Sequence, residues 1–596
     1  MRHFIAIATL LIGLVLAGSA FAYPVKIVYD GEVPEDIRDQ ITDRLPEEPE
    51  AESPLHARRQ ARRASKIVEG VFNAYGYFDP TIATSVTGEG GEARPQLTVS
   101  PGAQFAIRRL VIRYEGEPPL EADQQTAQSA IALQPGQAAV AAEVIDQDRQ
   151  IGAALRAAGY PYAETLGREV IGDREGKTIS VRYTVDAGPR VRFGETVIPD
   201  GLVTKDKYLM RINPLEEGKL FDPSDLALYN SRLSETRLFN RALAKLSDDP
   251  ISVDPDGTEV RDVELLLTER KRNTLTLGAG FDTNEGFGVD AELLRRNITG
   301  RGDLLIGTAR IAEREYSLDV EWRRPNQLGY GRGVNFFASV SDENTDAFNQ
   351  QAARLGAGVD VIQGPQFRYS YGAETRYVRQ SGESLRRDFV VAALNGSAQI
   401  DKADSLLDPR KGWRAEGRVK PTYAFSPDGP DVAYIRATAQ GRLYLPMSAE
   451  GRFVAAGRLR MGTLIGAGVA DVPGDDRFFA GGGGSVRGYA FQAIGPFSES
   501  MDNNGDQFPL GGRSLVEASL EGRARITDSI GAVAFVDAGN ISDSEYPTFD
   551  NLRVGVGVGA RYMTPAGPIR IDVATPLNPS SRDDAIQVYI SIGQAF

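Results

Sequence analysis

From about Arg272 to Phe596 the chain alternates apolar and polar residues with a period of two, and this pattern limits the fold more than any other feature. In Thr274-Leu-Thr-Leu-Gly-Ala-Gly-Phe281 the apolar positions are Leu275, Leu277, Ala279 and Phe281, with threonine and glycine between them. In Tyr316 to Arg323 one face is Tyr316, Leu318, Val320 and Trp322, and the other is Ser317, Asp319, Glu321 and Arg323. Successive side chains of a strand point to opposite faces, so each segment reads as a strand with one apolar and one polar face. A soluble sandwich would bury the apolar face in its core, whereas a membrane barrel would turn it to lipid and the charged face to the lumen. A spanning strand takes ~9–11 residues, roughly 20 here with its share of the loops, which gives about 16 antiparallel strands. Beyond the N-terminus no apolar run is long enough to cross a bilayer as a helix. A membrane form must therefore be a closed barrel.

The N-terminus supplies an address. Met1-Arg2-His3 is a basic start, Phe4 to Gly18 is apolar, and Ala20-Phe21-Ala22 fits a signal-peptide cleavage site, leaving Tyr23 first in the mature chain. Composition removes several functions from consideration. There is no cysteine, so a disulfide framework, a thiol nucleophile and thiolate metal sites are excluded. The two histidines are His3 and His56, and only the second survives cleavage. With no G-x-S-x-G motif either, the expectation is a protein that is not an enzyme, with no metal and no cofactor. A net charge of −14 argues against nucleic acid as a partner.

Residues 23–270 carry a repeat. Tyr23 to Gly31, Ile107 to Gly116 and Val191 to Gly201 are strand-like runs ending in a turn glycine, and the three glycines are spaced by 85 residues. Within the repeats, Ala74-Tyr-Gly76-Tyr-Phe and Ala158-Gly159-Tyr160-Pro-Tyr end helical patterns, with glycine in the stop position. The third copy, near Leu238-Phe239, lacks it. Strand-like runs at Gln96 to Ser100, Thr178 to Val185 and Asp262 to Leu267 close the units. The order strand, helix, helix, strand, strand predicts three α+β domains, over 23–101, 102–187 and 188–270, ahead of a barrel over 271–596. In the first unit Arg58, Arg62 and Lys66 lie at i, i+4 and i+8 with Arg59 and Arg63 beside them. On a helix this is a basic stripe, either a solvated face or a contact for an acidic partner.

The longest barrel loop runs from about Asp471 to Gly512 and contains Arg477-Phe-Phe-Ala-Gly-Gly-Gly-Gly-Ser-Val-Arg-Gly-Tyr489. Four glycines let the backbone fold back and deliver Val486, Arg487, Gly488 and Tyr489 to one place. On the following strands, Glu521 shares the polar face with Glu517, Ser519 and Arg523, and Asp537 alternates with Val536 and Ala538. Both carboxylates should face the lumen. An arginine fork between them would make charge-assisted hydrogen bonds and pin the loop inside the barrel. The last strand has Ile586, Val588, Ile590, Ile592 and Phe596 on one parity. In a closed barrel it must meet the first strand, so Leu275, Leu277, Gly593 and Phe596 are candidates for the seam, with Gly593 weakening it.

Val486-Arg-Gly-Tyr489 followed by Phe535-Val-Asp537-Ala-Gly539 resembles the BamA/TamA superfamily of outer-membrane assembly and transport proteins. Asn297-Ile-Thr-Gly-Arg-Gly302 and Thr564-Pro-Ala-Gly-Pro-Ile-Arg-Ile-Asp572 fit the same resemblance, which covers essentially the whole mature chain. It implies that the α+β units are POTRA domains in the periplasm of a Gram-negative bacterium. It also implies that the barrel lies in outer-membrane lipid and that the terminal Phe596 belongs to a barrel assembly signal, although Gln594 departs from that signal. Three units, with no room for a plug helix ahead of them, resemble the TamA branch. That branch implies a TamB-like inner-membrane-anchored partner and client outer-membrane proteins such as autotransporters, whose strands would add at a weak seam. The alternative within the resemblance is a two-partner secretion transporter that exports a polypeptide through its lumen.

Overall fold

The computed structural model describes residues 25–46, 49, 51–88, 93–282, 286–381, 387–448, 451–501, 507–564, 567–581, 583–592, 594 and 596. The expected signal peptide (1–22) and Gly593 lie outside them. The chain forms two compact units: Met1–Val197 with Pro214–Tyr229 and Ala244–Leu265, and Ile198–Asn213 with Asn230–Leu243 and Leu266–Phe596.

The first unit is built of α+β modules. Strand Lys26–Tyr29, helices Glu35–Arg44 and Pro54–Ala74, and strands Thr81–Thr87 and Arg94–Ser100 make one module. Its last strand is central, parallel to the first and antiparallel to the middle one. Ala106–Glu115, Glu121–Ser129, Ala141–Ala157, Glu164–Asp173 and Thr178–Asp186 repeat the same path and pairing. A third parallel pair joins Val191–Val197 to Glu259–Glu269.

Helix Pro54–Ala74 follows from its sequence. The Ser53 side chain accepts from the His56 amide at 3.2 Å, and proline fits the first turn. Ala57, Ala61, Ala64, Val68, Val71 and Phe72 bury one face, and Phe72 and Val68 meet Leu97 and Val99 of the sheet. Arg58, Arg62 and Lys66 stand exposed on the opposite face. Gly76 and Gly159, at φ +85° and +97°, end the long helices of the two modules. A Cβ on Gly76 would lie 2.8 Å from the Ala139 carbonyl oxygen, and one on Gly159 2.8 Å from Leu220, so each glycine also admits a close neighbour. In the third copy Arg237 takes the left-handed position, at φ +55°.

The second unit holds a 16-stranded antiparallel barrel in sequential order. Its strands, numbered from the first, are β1 (Asn273–Asp282), β2 (Gly286–Arg296), β3 (Leu304–Ala312), β4 (Glu315–Arg324), β5 (Arg332–Asn344), β6 (Asn349–Gln363), β7 (Phe367–Ser381) and β8 (Arg387–Asp401). They continue with β9 (Gly412–Phe425), β10 (Val432–Pro446), β11 (Phe453–Ile465), β12 (Ser514–Arg525), β13 (Ile530–Ser542), β14 (Arg553–Tyr562), β15 (Ile569–Pro576) and β16 (Gln587–Ile592). Leu275 and Leu277 are 64% and 71% exposed on the outer face, and Tyr316, Leu318, Val320, Val588 and Ile590 share it. Asp537, Glu517 and Asp572 are fully buried on the inner one. This is the barrel alternative of the alternating pattern, with the apolar parity on lipid. β1 and β16 come within 8 Å at Cα, and among the described residues no ladder joins them.

Phe596 corrects one expectation. It does not share the outward parity of Val588 and Ile590. It is 8% exposed and packs with Tyr444, Val454 and Ala456 on the inner face. Arg523 donates to its carbonyl oxygen at 3.1 Å, and the Arg523 and Arg458 guanidinium groups lie 5.2 and 5.5 Å from its ring. β16 ends at Ile592, so period-two parity no longer governs residue 596. Phe596 therefore lies away from the seam with β1.

The same unit explains Asn297-Ile-Thr-Gly-Arg-Gly302. This turn receives the segment around helix Asp206–Ile212: Asn297 donates to Thr204 Oγ1 at 2.8 Å, and Lys205 N–H donates to the Gly300 carbonyl at 2.8 Å. A Cβ on Gly302 would lie 2.3 Å from the Tyr208 ring. The Glu269 carboxylate accepts from Thr204 Oγ1 at 2.6 Å and from the Thr204 and Val203 amides at 2.8 and 3.1 Å.

Candidate functional site

The site is the connection between β11 and β12, which turns into the lumen. Gly481 and Gly482 adopt φ +108° and +100°, and a Cβ on Gly481 would stand 2.3 Å from the Ala490 carbonyl oxygen. The glycine run therefore makes a hairpin too tight for side chains, closed by Gly482 N–H donating to the Tyr489 carbonyl at 3.1 Å. The exposed carbonyls of the turn find arginines on the wall. Arg458 of β11 donates to the Gly484 and Ser485 oxygens at 2.8 and 2.9 Å, and Arg570 of β15 donates to the Gly483 oxygen at 3.0 Å. The Ser485 hydroxyl donates to Glu517.

Arg487 is 1% exposed at the tip. Its Nε and Nη2 donate to the two oxygens of Asp537 at 2.7 and 3.0 Å, and its own amide adds a third bond at 3.1 Å. Nη1 lies 2.8 Å from Glu521 Oε1 and donates to Asp572 Oδ2 at 3.0 Å. The guanidinium carbon sits 3.4 Å above the centre of the Phe535 ring, a cation–π contact. Three buried carboxylates around one arginine would leave excess negative charge. Arg523, 2.8 Å from Glu521, and Arg561, paired with Asp572, supply the balance. The two acids expected from the sequence thus meet Arg487. Asp572, Arg561 and Phe535 complete the site; the sequence assigned none of them to it, although Phe535 and Asp572 stand in the motifs that carry the family resemblance. Ile569, Ile571 and Val573 alternate around Asp572 and were the available signal.

The slot for the tip is made by missing side chains. β14 reads Arg-Val-Gly-Val-Gly-Val-Gly-Ala-Arg-Tyr, with its glycines on the lumenal parity. A Cβ on Gly555 would stand 1.8 Å from the Arg487 carbonyl oxygen, and one on Gly557 2.4 Å from the Phe535 ring. Glycine inside a strand marks a close approach of another chain segment, here the loop itself.

A second cluster holds the start of the loop to the other side of the barrel. Asp475 and Asp476 pair with Arg376 of β7; Tyr434 of β10 donates to Asp476, and Lys420 of β9 lies 3.6 Å from it. Arg436 donates to the Asp476 carbonyl at 3.0 Å and stacks 4.5 Å from the Phe478 ring. The two anchors reverse signs: the loop brings a cation to acids at one end and acids to cations at the other. Adjacent aspartates at a loop entrance were the sequence signal for this cluster.

The remaining candidates lie elsewhere. Leu275 and Leu277 face outward on β1. Gly593 is outside the described residues, and the basic stripe belongs to the first unit. The geometry around Arg487 can fix a loop by charge-assisted hydrogen bonds, and the residues that do so come from β12, β13 and β15.

Comparison with known proteins places this arrangement. The family model of the Omp85 superfamily domain matches residues 297–596. The chain is 24% identical over 437 residues to the outer membrane protein assembly factor BamA of Nitratidesulfovibrio vulgaris, covering 70% of this chain and 53% of that one. It thus spans about half the length of that relative. To BamA of Neisseria meningitidis it is 22% identical over 584 residues, 87% of this chain and 71% of that one. The crystal structure of BamA from Haemophilus ducreyi lacking POTRA domains 1–3 matches with a TM-score of 0.69 at 19% identity, over 82% of this chain and 99% of that one.

Proposed function

The chain belongs to the Omp85 superfamily, and from that membership we propose that it is an assembly factor that helps client β-barrel proteins, such as autotransporters, insert into the outer membrane. The chain is itself an outer-membrane barrel with a POTRA-like N-terminal region. The observation that carries the proposal is the approach of β1 and β16 with no ladder between them among the described residues, in a barrel whose other strands are all paired in sequence. An exposed strand edge offers backbone donors and acceptors to an incoming strand, so a client can be captured by β-augmentation. The loop pinned by Arg487 supports the same reading, because it occupies the lumen beside the strands that approach the seam. The work is binding and placement of strands, and it needs no covalent step. Within the superfamily, the three-unit reading of the arm favours the TamA branch. The POTRA-like region then engages a TamB-like inner-membrane-anchored partner, with the Arg58, Arg62 and Lys66 stripe as its contact.

The test reconstitutes the full chain in liposomes and follows insertion of a client barrel by protease protection. Insertion is expected with the native chain and is expected to fall at least tenfold with Arg487→Ala. Normal insertion by the Arg487→Ala variant would defeat the lock's part in assembly. Export of a soluble polypeptide into the liposomes with no client inserted would replace the proposal with two-partner secretion.

A further inference from the structure

The tip of the loop holds the last barrel strand as well as the wall of acids. Tyr589 stands in β16 opposite Asp572 of β15, on the lumenal face. Its hydroxyl accepts from the Gly488 amide at 3.0 Å and donates to the Tyr489 carbonyl at 2.7 Å. The ring is buried against Val533, Phe535 and Ala574, the same aromatic floor that carries Arg487. Both loop groups that Tyr589 binds belong to the two residues after Arg487. The connection from β15 to β16 is tied in too, since the Tyr489 hydroxyl donates to Asn578 Oδ1 at 2.7 Å.

Apart from Tyr589, β16 is held from within by Arg570 of β15, which donates to the Ser591 hydroxyl, and past its end by the buried Phe596. The strand is 6 residues long, against 15 for β6, and its only ladder among the described residues runs to β15 from Gln587 to Ile592. β1, on the other side of the seam, presents Thr274, Thr276, Gly278 and Gly280 to the lumen, side chains too short to reach across to a central loop. Among the described residues the seam is therefore asymmetric: one strand is clamped from within and the other is not.

We infer that Tyr589 is the positioning residue that couples the Arg487 lock to the seam. With the loop seated, β16 is fixed; when Arg487 leaves its acids, Gly488 and Tyr489 leave Tyr589, and the last strand is freed. β1 moves independently of the loop. The inference takes its purpose from the assembly reading above, but its geometry can be tested without any client.

The test is amide hydrogen exchange on the full chain in lipid nanodiscs, read by mass spectrometry. Tyr589→Phe keeps the ring and removes only the hydroxyl. Loss of its two hydrogen bonds is expected to speed exchange in residues 587–592 by roughly tenfold. Exchange in β12 and β13 and the unfolding midpoint should stay unchanged. Arg487→Ala should speed the same β16 amides, and the double variant should add little to it, since coupled sites are not additive. Unchanged exchange in β16 for Tyr589→Phe overturns the inference. So do additive effects of the two variants, and so does a uniform rise across the barrel, which would make Tyr589 a packing residue only. Client insertion is measured separately: its failure with intact coupling counts against the assembly reading alone, and intact insertion with no coupling counts against Tyr589 alone.

Discussion

Arg487 brings one positive charge into a space walled by Asp537, Glu521 and Asp572, all buried. Removing it would strand carboxylates that water cannot reach, and breaking a buried pair in this way costs about 3–5 kcal/mol. Arg487→Ala is therefore expected to release the loop, read as faster protease cleavage between residues 477 and 490 with the barrel intact. Arg487→Lys should rescue little, because an ammonium cannot make the two parallel bonds to Asp537 and lies less well on the Phe535 ring. A complementary change leaves every charge in place. Gly555→Ala puts a methyl 1.8 Å from the Arg487 carbonyl oxygen, so the tip must lift from β14. The expected result is the same protease sensitivity as Arg487→Ala; a loop that stays protected would mean that β14 can shift to admit the methyl.

At the scale of elements, the Glu269 carboxylate gathers the amides of Val203 and Thr204 and the Thr204 hydroxyl. Burial pushes the Glu269 carboxyl up, but the Thr204 hydroxyl and amide and the Val203 amide outweigh it, so the group sits below its usual range. A depressed carboxyl stabilises above its unfolded value, near 4.3, and the contribution fades as pH falls through the folded value. Hydrogen exchange at Val203 and Thr204 should therefore quicken, relative to the intrinsic rate, between about pH 5 and 3, and Glu269→Gln should remove that pH dependence. The barrel strands were legible in the sequence because lipid demands an apolar side chain at every second position, as Leu275 and Leu277 demonstrate. The acids that would face inward were legible by the same rule. What parity cannot give is which inward residues meet across several strands. Asp572 joins Arg487 through the stagger of β13, β14 and β15, and Tyr589 reaches Gly488 through the stagger of one strand more. Phe596 was misread because it lies beyond Ile592, where the strand ends and alternation carries no information.

For the molecule as a whole, the basic stripe Arg58–Lys66 stands out in a chain of net charge −14. If it is the contact for the inner-membrane-anchored partner, reversing Arg58 and Arg62 to glutamate should reduce cross-linked partner several-fold and weaken its salt dependence. Unchanged capture would make the stripe a solvated face. The glycine slot on β14 has a consequence of a different kind, in the order of events during biogenesis. Arg458 precedes the turn, but the groups that hold Arg487 and Gly488 are made after them: Asp537 lies 50 residues downstream of Arg487, Asp572 lies 85, and Tyr589 lies 101 beyond Gly488. When the tip leaves the ribosome its berth does not exist, and it cannot form until β13 to β16 have docked side by side. Seating is thus a closing step with a long wait before it, during which the tip is open to solvent and to any holdase. A fluorophore near Ser485 should report its final environment later than the circular dichroism of the barrel, and Gly555→Ala should abolish that late phase alone.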